Sequence, residues 1–431
     1  MAKIVDVISE ITFADIPENA IQAARLCLLD AVGCMVGGMQ WSAVLSLAQT
    51  ISRNNPGTTT IAASPLSSTR SWAAFVNSHA CSYFDLDDGH RTAQGHPGGV
   101  IIPLSLMLAA ENDCSGKELL TAIVLGYEIG VRGALIMRHA GGPRKGSGGW
   151  SITGGVAAAA KLLKLPPPQI KNALGLAEYF APQAPQDRSL AYPSSMKEGM
   201  AWASYSAISI VELAAAGFDS MTPFLADATE DSDPVFTYEI CSVYFKMHAC
   251  CRFSHPVIDG LANLVQDHDF LIEEIESVTV VSFDKALLLN HVAPENSVAA
   301  MYSIPFIVGC YLIRGKVGPQ ELVDDSLTDP KILEIARRVV LQEDPAITAQ
   351  FPQKCLARVA ITLHNGKTMN SETLSARGDP DNPYTLEEMS RKFFDLTASL
   401  GQIRSETLYA QIMHIATASP QKMWNTLQLN R

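Results

Sequence analysis

The chain has 431 residues with a net charge of −12, 47% hydrophobic residues and 18% charged residues. An acidic chain without a basic stripe is unsuited to nucleic-acid phosphates, so we expect no nucleic-acid partner. No uninterrupted apolar run of about 20 residues occurs, and we expect no membrane-spanning segment. The high apolar content predicts a large core together with an apolar subunit interface, most simply that of a homodimer.

Residues 1–255 carry the signals of a helical region. The motif Asp15-Ile-Pro17 supplies a cap and a first-turn proline for an Ala/Leu/Cys-rich helix that stops at Gly37. The motif Ser115-Gly-Lys-Glu118 is a capping box that opens a second helix. A short Ala-rich helix is predicted at 157–165, and the small residues on these helices favour close packing.

Strand signals appear after residue 255. The β-branched stretch 275–283 predicts a strand. Residues 357–364 alternate with period two, and the turn Asn365-Gly366 sends the chain back as a second strand at 367–374. These strands predict a smaller α+β unit that spans 256–385.

The end of the chain returns to helix. The motif Thr385-Leu-Glu-Glu388 is a capping box for a helix at 386–400. The predicted fold class is therefore mainly α, with a large all-helical domain made of 1–255 and 386–431 and the α+β unit of 256–385 inserted between them.

The nine cysteines are scattered, and no CxxC pair is present. Their number is odd, and the chain starts without the apolar segment of a signal peptide. Reduced thiols in a cytoplasmic protein are the natural interpretation.

The segment from Asp85 to Gly98 concentrates ionisable side chains between two apolar helices. Its ionisable residues are Asp85, Asp87, Asp88, His90, Arg91 and His96. A solvated loop is one interpretation, and a metal site is another, although the spacing fits no helical metal motif. Histidine titrates near neutrality and is the commonest general acid or base, so we favour a proton-transfer or anion-binding site.

Two further segments carry cations. Lys246, Arg252 and His255 lie at the junction of the two predicted units, where clefts are common and a carboxylate could be bound. A solvated hinge is the alternative.

Lys197 stands at the start of an apolar helix, where it is either catalytic or an ordinary surface lysine. The Gly-rich loop at 145–155 can bind an anion but matches neither the P-loop nor the dinucleotide fingerprint.

Taken in order, these motifs resemble the MmgE/PrpD family, which includes 2-methylcitrate dehydratase, cis-aconitate decarboxylase and iminodisuccinate epimerase. The matching segments are 28–33, the loop from Asp87 to Pro97, Lys197, 246–255, 302–305 and 378–383. The resemblance implies that the α+β unit is a lid domain, that the chain is a homodimer, and that the site lies in the cleft between the domains. It also implies that neither a metal nor an organic cofactor is used.

The resemblance carries over residue by residue. Asp88, His96, Lys197 and Lys246 match positions of the family's site. We expect His96 to be the acid or base and Asp88 to orient it and fix its tautomer. Lys197, Lys246 and Arg252 are expected to neutralise charge on the substrate and the intermediate. The residues expected to bind or position the substrate are His90, Arg91, Ser151, Arg252 and His255.

Three positions depart from the family lyases. Ser151 replaces one histidine of the lyase site, Cys251 stands where cis-aconitate decarboxylase has another, and Phe306 stands where it has a tyrosine.

The expected activity is a cofactor-independent lyase or isomerase that moves a proton next to a carboxylate of a small di- or tricarboxylate. A dehydratase or decarboxylase is slightly favoured. The alternatives are an epimerase of a dicarboxylate such as an iminodisuccinate-like compound, a metal-dependent hydro-lyase or hydrolase, and a carboxylate-binding member without activity.

Overall fold

Helices make up most of the chain, as the sequence predicts. The computed structural model describes residues 3–228 and 236–429. Between residues 3 and 228 the helices are α1 Lys3–Glu10, α2 Glu18–Met39, α3 Ser42–Asn54, α4 Arg70–Ser82, α5 Gly98–Glu111, α6 Gly116–His139, α7 Ser147–Leu162, α8 Pro167–Phe180, α9 Gln186–Ala191, α10 Met200–Ala215 and α11 Phe224–Ala228. Between residues 236 and 429 they are α12 His255–Asp267, α13 Ser297–Met301, α14 Ile304–Arg314, α15 Asp324–Leu327, α16 Pro330–Arg337, α17 Pro345–Thr348, α18 Leu386–Thr397, α19 Gln402–Met413 and α20 Pro420–Leu427.

The strands form one larger sheet and two small pairs. They are β1 Thr59–Thr60, β2 Ser67–Ser68, β3 Gly89–His90, β4 Val243–Tyr244, β5 Ile275–Ser282, β6 Val339–Glu343, β7 Leu356–Leu363, β8 Thr368–Asn370 and β9 Leu374–Ser375. In the sheet, β5 pairs in parallel with β6 and antiparallel with β7, and β7 also pairs with β8 and β9. The predicted hairpin between β7 and β8 is confirmed, and Gly366 adopts a φ of 83° in its turn.

The core of the helical part is built around α5 and α7. These two helices pack on each other, and α6 and α10 pack against α7. Gly154 of α7 makes the α6–α7 contact possible, because a Cβ atom there would lie 2.3 Å from the main-chain oxygen of Gly126. The Gly-rich stretch was expected to be a loop, but α7 begins at Ser147 and includes most of it. Gly154 therefore serves the packing of α7 on α6, and the predicted helix start at 157 was wrong.

The last helices pack back onto the first ones. Helix α18 contacts α2, and α20 contacts α5. The capping box of Thr385 and Glu388 at the start of α18 is confirmed. Two helices, α2 and α6, are long and apolar enough to cross a bilayer, which the sequence analysis did not expect. Their most apolar windows are 72% and 83% buried inside the protein, as in ordinary core helices.

Candidate active site

Asp85 is the centre of a buried cluster of charges. Its carboxylate receives Nζ of Lys197 at 3.0 Å, Nζ of Lys246 at 2.9 Å and the hydroxyl of Tyr302 at 3.1 Å. Burial alone would raise the pKa of Asp85, but the two ammonium groups outweigh it and hold the pKa well below its usual range. Asp85 is thus a carboxylate that fixes the two lysines side by side.

An unusual backbone places these groups. Asp85 has a φ of 56°, and the consecutive residues Lys197, Glu198 and Gly199 have φ values of 43°, 55° and 77° just before α10. The left-handed region is costly for residues other than glycine, at roughly 1–3 kcal/mol each. The surrounding packing maintains this strain, and the result is that the Lys197 side chain turns inward to Asp85.

His96 lies beside this cluster with a defined tautomer. Its Nδ1 is 2.8 Å from the main-chain oxygen of Asp88, and a carbonyl can only accept a hydrogen bond. In the neutral ring Nδ1 therefore carries the proton and Nε2 is left as the base. Nε2 lies 3.8 Å from Oδ1 of Asp85, close enough for the carboxylate to stabilise an imidazolium ion.

The Asp88 side chain points elsewhere. Its carboxylate receives the hydroxyl of Tyr127 at 2.9 Å and is fully buried. Burial, together with the nearby carboxylates of Asp30 and Asp87, raises the pKa of Asp88 well above its usual range. Asp88 does hold the His96 ring, but through its main chain and not through the carboxylate that the resemblance implied.

The acidic loop is supported from behind by the last long helix. Nζ of Lys392 in α18 donates to Oδ1 of Asp30 at 2.6 Å and to the main-chain oxygen of Leu86 at 2.7 Å. Since Asp85, Asp87 and Asp88 are all buried, the solvated-loop interpretation is wrong. The loop is a packed element between α4 and α5.

A narrow cleft opens beside His96. Its lining includes Asp85, His96, Glu198, Cys251 and Tyr302, and its free space is about 50 Å³. Such a space holds only a few water molecules. Polar and charged side chains converge there under a cover of aromatic rings.

Two arginines in the lining share one carboxylate. Arg91 and Arg252 both pair with Oδ1 of Asp379, at 2.9 Å for Arg252. Both guanidinium groups also lie over the ring of Tyr244, at 5.1 and 4.5 Å from its centre. Arg252 further donates to the main-chain oxygens of residues 245, 376 and 377. Arg252 thus joins three chain segments as well as lining the cleft.

The other predicted substrate-binding residues occupy different places. His90 lines the cleft, but its Nε2 is 3.1 Å from Glu239 and its Nδ1 accepts from the main-chain nitrogen of Ala93. The hydroxyl of Ser151 donates to the main-chain oxygen of Ser147, and Ser151 is absent from the cleft lining. His255 is also absent from the lining, and burial holds its pKa well below the usual value.

Sequence reasoning gave no catalytic or binding role to Asp85, Tyr302 or Glu198. Asp85 and Tyr302 lie in motifs that the sequence analysis quoted. The sequence pointed to these segments but did not show that the side chains of Asp85 and Tyr302 meet. Of the three departures, Cys251 lines the cleft, whereas Phe306 is fully buried in the core. Among the residues that the structure describes, no group of three or more His, Cys, Asp or Glu side chains is arranged to hold a metal ion.

Comparisons with known proteins agree with this arrangement of motifs. The model of the MmgE/PrpD N-terminal domain matches residues 2–239, and that of the MmgE/PrpD C-terminal domain matches residues 248–414. A cis-aconitate decarboxylase of Aspergillus terreus is 23% identical over 440 residues, which cover 91% of this chain and 88% of the relative.

Two other relatives extend the comparison. The cis-aconitate decarboxylase of Mus musculus is 25% identical over 352 residues, covering 75% of this chain and 70% of its own. A 2-methylcitrate dehydratase of Salmonella typhi is 23% identical over 404 residues, covering 84% and 82%. Two family models that together match nearly the whole chain establish that it belongs to the MmgE/PrpD family.

Proposed function

We propose that the chain is a lyase that needs no cofactor and acts on a small di- or tricarboxylate, as a dehydratase or decarboxylase. One observation carries this proposal: the free Nε2 of His96 lies beside two buried ammonium groups, those of Lys197 and Lys246, which Asp85 holds in place. The relatives named as a decarboxylase and a dehydratase support the same class of reaction.

The chemistry follows from these groups. In a dehydration, Nε2 of His96 takes the proton from the carbon next to a carboxylate, and the electron pair moves onto that carboxylate as an enediolate. The enediolate electron pair then forms the carbon–carbon double bond while the C–O bond to the β-hydroxyl breaks, and the leaving group takes the proton back from the His96 imidazolium and departs as water. In a decarboxylation, CO₂ leaves first and the resulting carbanion takes a proton from the imidazolium of His96. Lys197 and Lys246 are buried and absent from the cleft lining, so in either case they offset the developing negative charge through their electrostatic field and not by direct contact.

The experiment is incubation in D₂O with cis-aconitate, 2-methylcitrate, citrate and iminodisuccinate, followed by NMR. Loss of water or CO₂ from one of them would support the lyase, and His96→Gln should abolish that loss. Exchange of a C–H proton without net loss would identify the epimerase instead. If none of these compounds exchanges or reacts, the proposed activity is wrong.

We further propose that residues 256–385 form a lid on the helical domain. Tyr302 and Phe351 of that segment line the same cleft as Asp85 and His96 of the helical part, and the Tyr302 hydroxyl contacts Asp85 directly. Because the free space of the cleft is too small for a tricarboxylate, the two parts have to separate for substrate to enter.

A homodimer in the cytoplasm completes the proposal. Many of the large exposed apolar side chains among the described residues fall between residues 179 and 224, namely Tyr179, Phe180, Tyr192, Met196, Trp202, Leu213, Phe218, Met221 and Phe224. A second copy that covered side chains of this kind would stabilise a dimer. The free cysteines suit a reducing compartment. Light scattering of the protein and of Trp202→Glu would test the dimer.

A further inference from the structure

We propose that Glu198 determines specificity in the cleft by accepting a hydrogen bond from a hydroxyl or protonated amine on the substrate. This inference rests on the proposed function and adds a substrate feature to it. The cleft would favour dicarboxylates and tricarboxylates that carry such a donor over analogues that lack one.

The first support is the fixed position of the carboxylate. Oε2 of Glu198 accepts from the main-chain nitrogen of Ser147 at 2.8 Å and from its hydroxyl at 2.6 Å. The same hydroxyl oxygen accepts from the main-chain nitrogen of His96 at 2.9 Å. Glu198 therefore caps the start of α7 and is held at a set distance from His96, so it is oriented before any ligand binds.

The second support is the other oxygen. Oε1 takes part in none of the hydrogen bonds or ion pairs found among residues 3–228 and 236–429, although Glu198 lines the cleft and is only 9% exposed. Oε1 is not among the fully buried atoms that lack a partner, so it keeps some solvent access and a ligand that displaces water can reach it. The hydrogen bonds of the Lys197 and Lys246 ammonium groups go to Asp85, so within the described residues neither lysine supplies a donor to Oε1, and a bound ligand can supply one.

The third support is the backbone. Glu198 adopts a φ of 55° between two other left-handed residues. Glycine would adopt this conformation at a lower cost. A glutamate kept in a strained position beside a cleft indicates a role for its side chain.

The test measures binding and not turnover. Calorimetry would compare citrate with tricarballylate and malate with succinate, since each pair differs by one hydroxyl group. We expect the protein to bind the hydroxylated member about tenfold more tightly, and Glu198→Gln to reduce this preference about fivefold, because hydrogen bonds to a charged acceptor are stronger. Aspartate against succinate tests the amine donor in the same way.

The matched control is Glu212→Gln, an exposed glutamate of α10 that pairs with Arg70 and should leave the preference unchanged. If Glu198→Gln does not fold, Glu198→Asp shortens the side chain, keeps the charge and should lower the same ratio. Equal binding within the pairs, or a ratio that neither variant changes, would overturn the inference but not the proposed function. If no carboxylate binds at all, both are wrong.

Discussion

The main-chain oxygen of Asp88 lies 2.8 Å from Nδ1 of His96, while the Asp88 carboxylate receives the hydroxyl of Tyr127. The residue therefore holds the His96 ring with its backbone and uses its side chain for the core. Replacing the side chain should leave the ring in place.

Asp88→Asn should accordingly keep most of its activity, losing far less than the 100-fold or more, as a rough scale, that removal of an acid or base costs. Stability gives a second test. Because the folded-state pKa of Asp88 is raised, stability is lost as the pH rises from the unfolded value of about 3.9 through the folded value. Asp88→Asn does not have this pH-dependent loss of stability. Its free energy of unfolding in urea should therefore rise relative to that of the wild type as the pH rises. A variant that loses both activity and stability at high pH would contradict us.

Asp85→Asn should be less stable than the wild type, and its pH dependence should be opposite to that of Asp88→Asn. It leaves two buried ammonium groups without their counter-charge, which should lower the free energy of unfolding by about 3–5 kcal/mol at neutral pH. The folded-state pKa of Asp85 is lowered, so its contribution is present above about pH 4 and is lost as the pH falls through the folded value.

Urea unfolding at several pH values measures the difference in the free energy of unfolding between Asp85→Asn and the wild type. This gap should narrow in acid. The control is Asp344→Asn, which removes a surface pair with Arg358 and should have a much smaller effect. A gap that widens as the pH falls would show that Asp85 does not hold the lysines as a carboxylate.

His96→Gln should remove catalysis and leave the fold intact. We expect a decrease in kcat of about 10²–10⁴-fold, measured as the rate of reaction or proton exchange of the carboxylate that the D₂O panel identifies. Its melting temperature should stay near that of the wild type. His364→Gln, in the exposed turn after β7, is the control and should retain full activity. Turnover that survives in His96→Gln would remove His96 from the mechanism.

Lys392→Met tests the support behind the loop. It leaves the buried Asp30 carboxylate unpaired and frees the main-chain oxygen of Leu86, so we expect a loss of about 3–5 kcal/mol in the free energy of unfolding. The double variant Asp30→Leu with Lys392→Met removes both charges and should recover much of that loss. Denaturant unfolding compares the three proteins. Equal stability of the single and double variants would argue against a buried charge pair.

Ser151→Ala tests a residue that the sequence assigned to substrate binding. Its hydroxyl is used within α7, so we expect KM to change by less than about twofold, whereas a lost binding contact would raise it. Steady-state kinetics of Ser151→Ala, measured side by side with those of His96→Gln, would test this expectation for KM. A large rise in KM would place Ser151 at the substrate after all.

The sequence predicted the helical fold, the turn at Asn365-Gly366 and the capping box at Ser115, because these signals are local. It could not tell which aspartate of the loop meets the lysines. That choice depends on the positive φ of Asp85, which redirects the side chains and is not encoded by any alternation pattern. Contacts between residues far apart in the chain could not be predicted from local patterns either. Lys392 and Leu86, for example, are 306 positions apart.

The contact between Lys392 and Leu86 also has a consequence for the order of assembly. A ribosome makes Leu86 of the acidic loop 306 residues before it makes Lys392, the support in α18. Domains tend to fold as units while synthesis proceeds from the N-terminus. The helical part of this protein is completed by its last helices, so a nascent chain that already contains Asp85, His96, Lys197 and Lys246 still lacks the residue that fixes the loop. Activity should therefore appear only after α18 has been made.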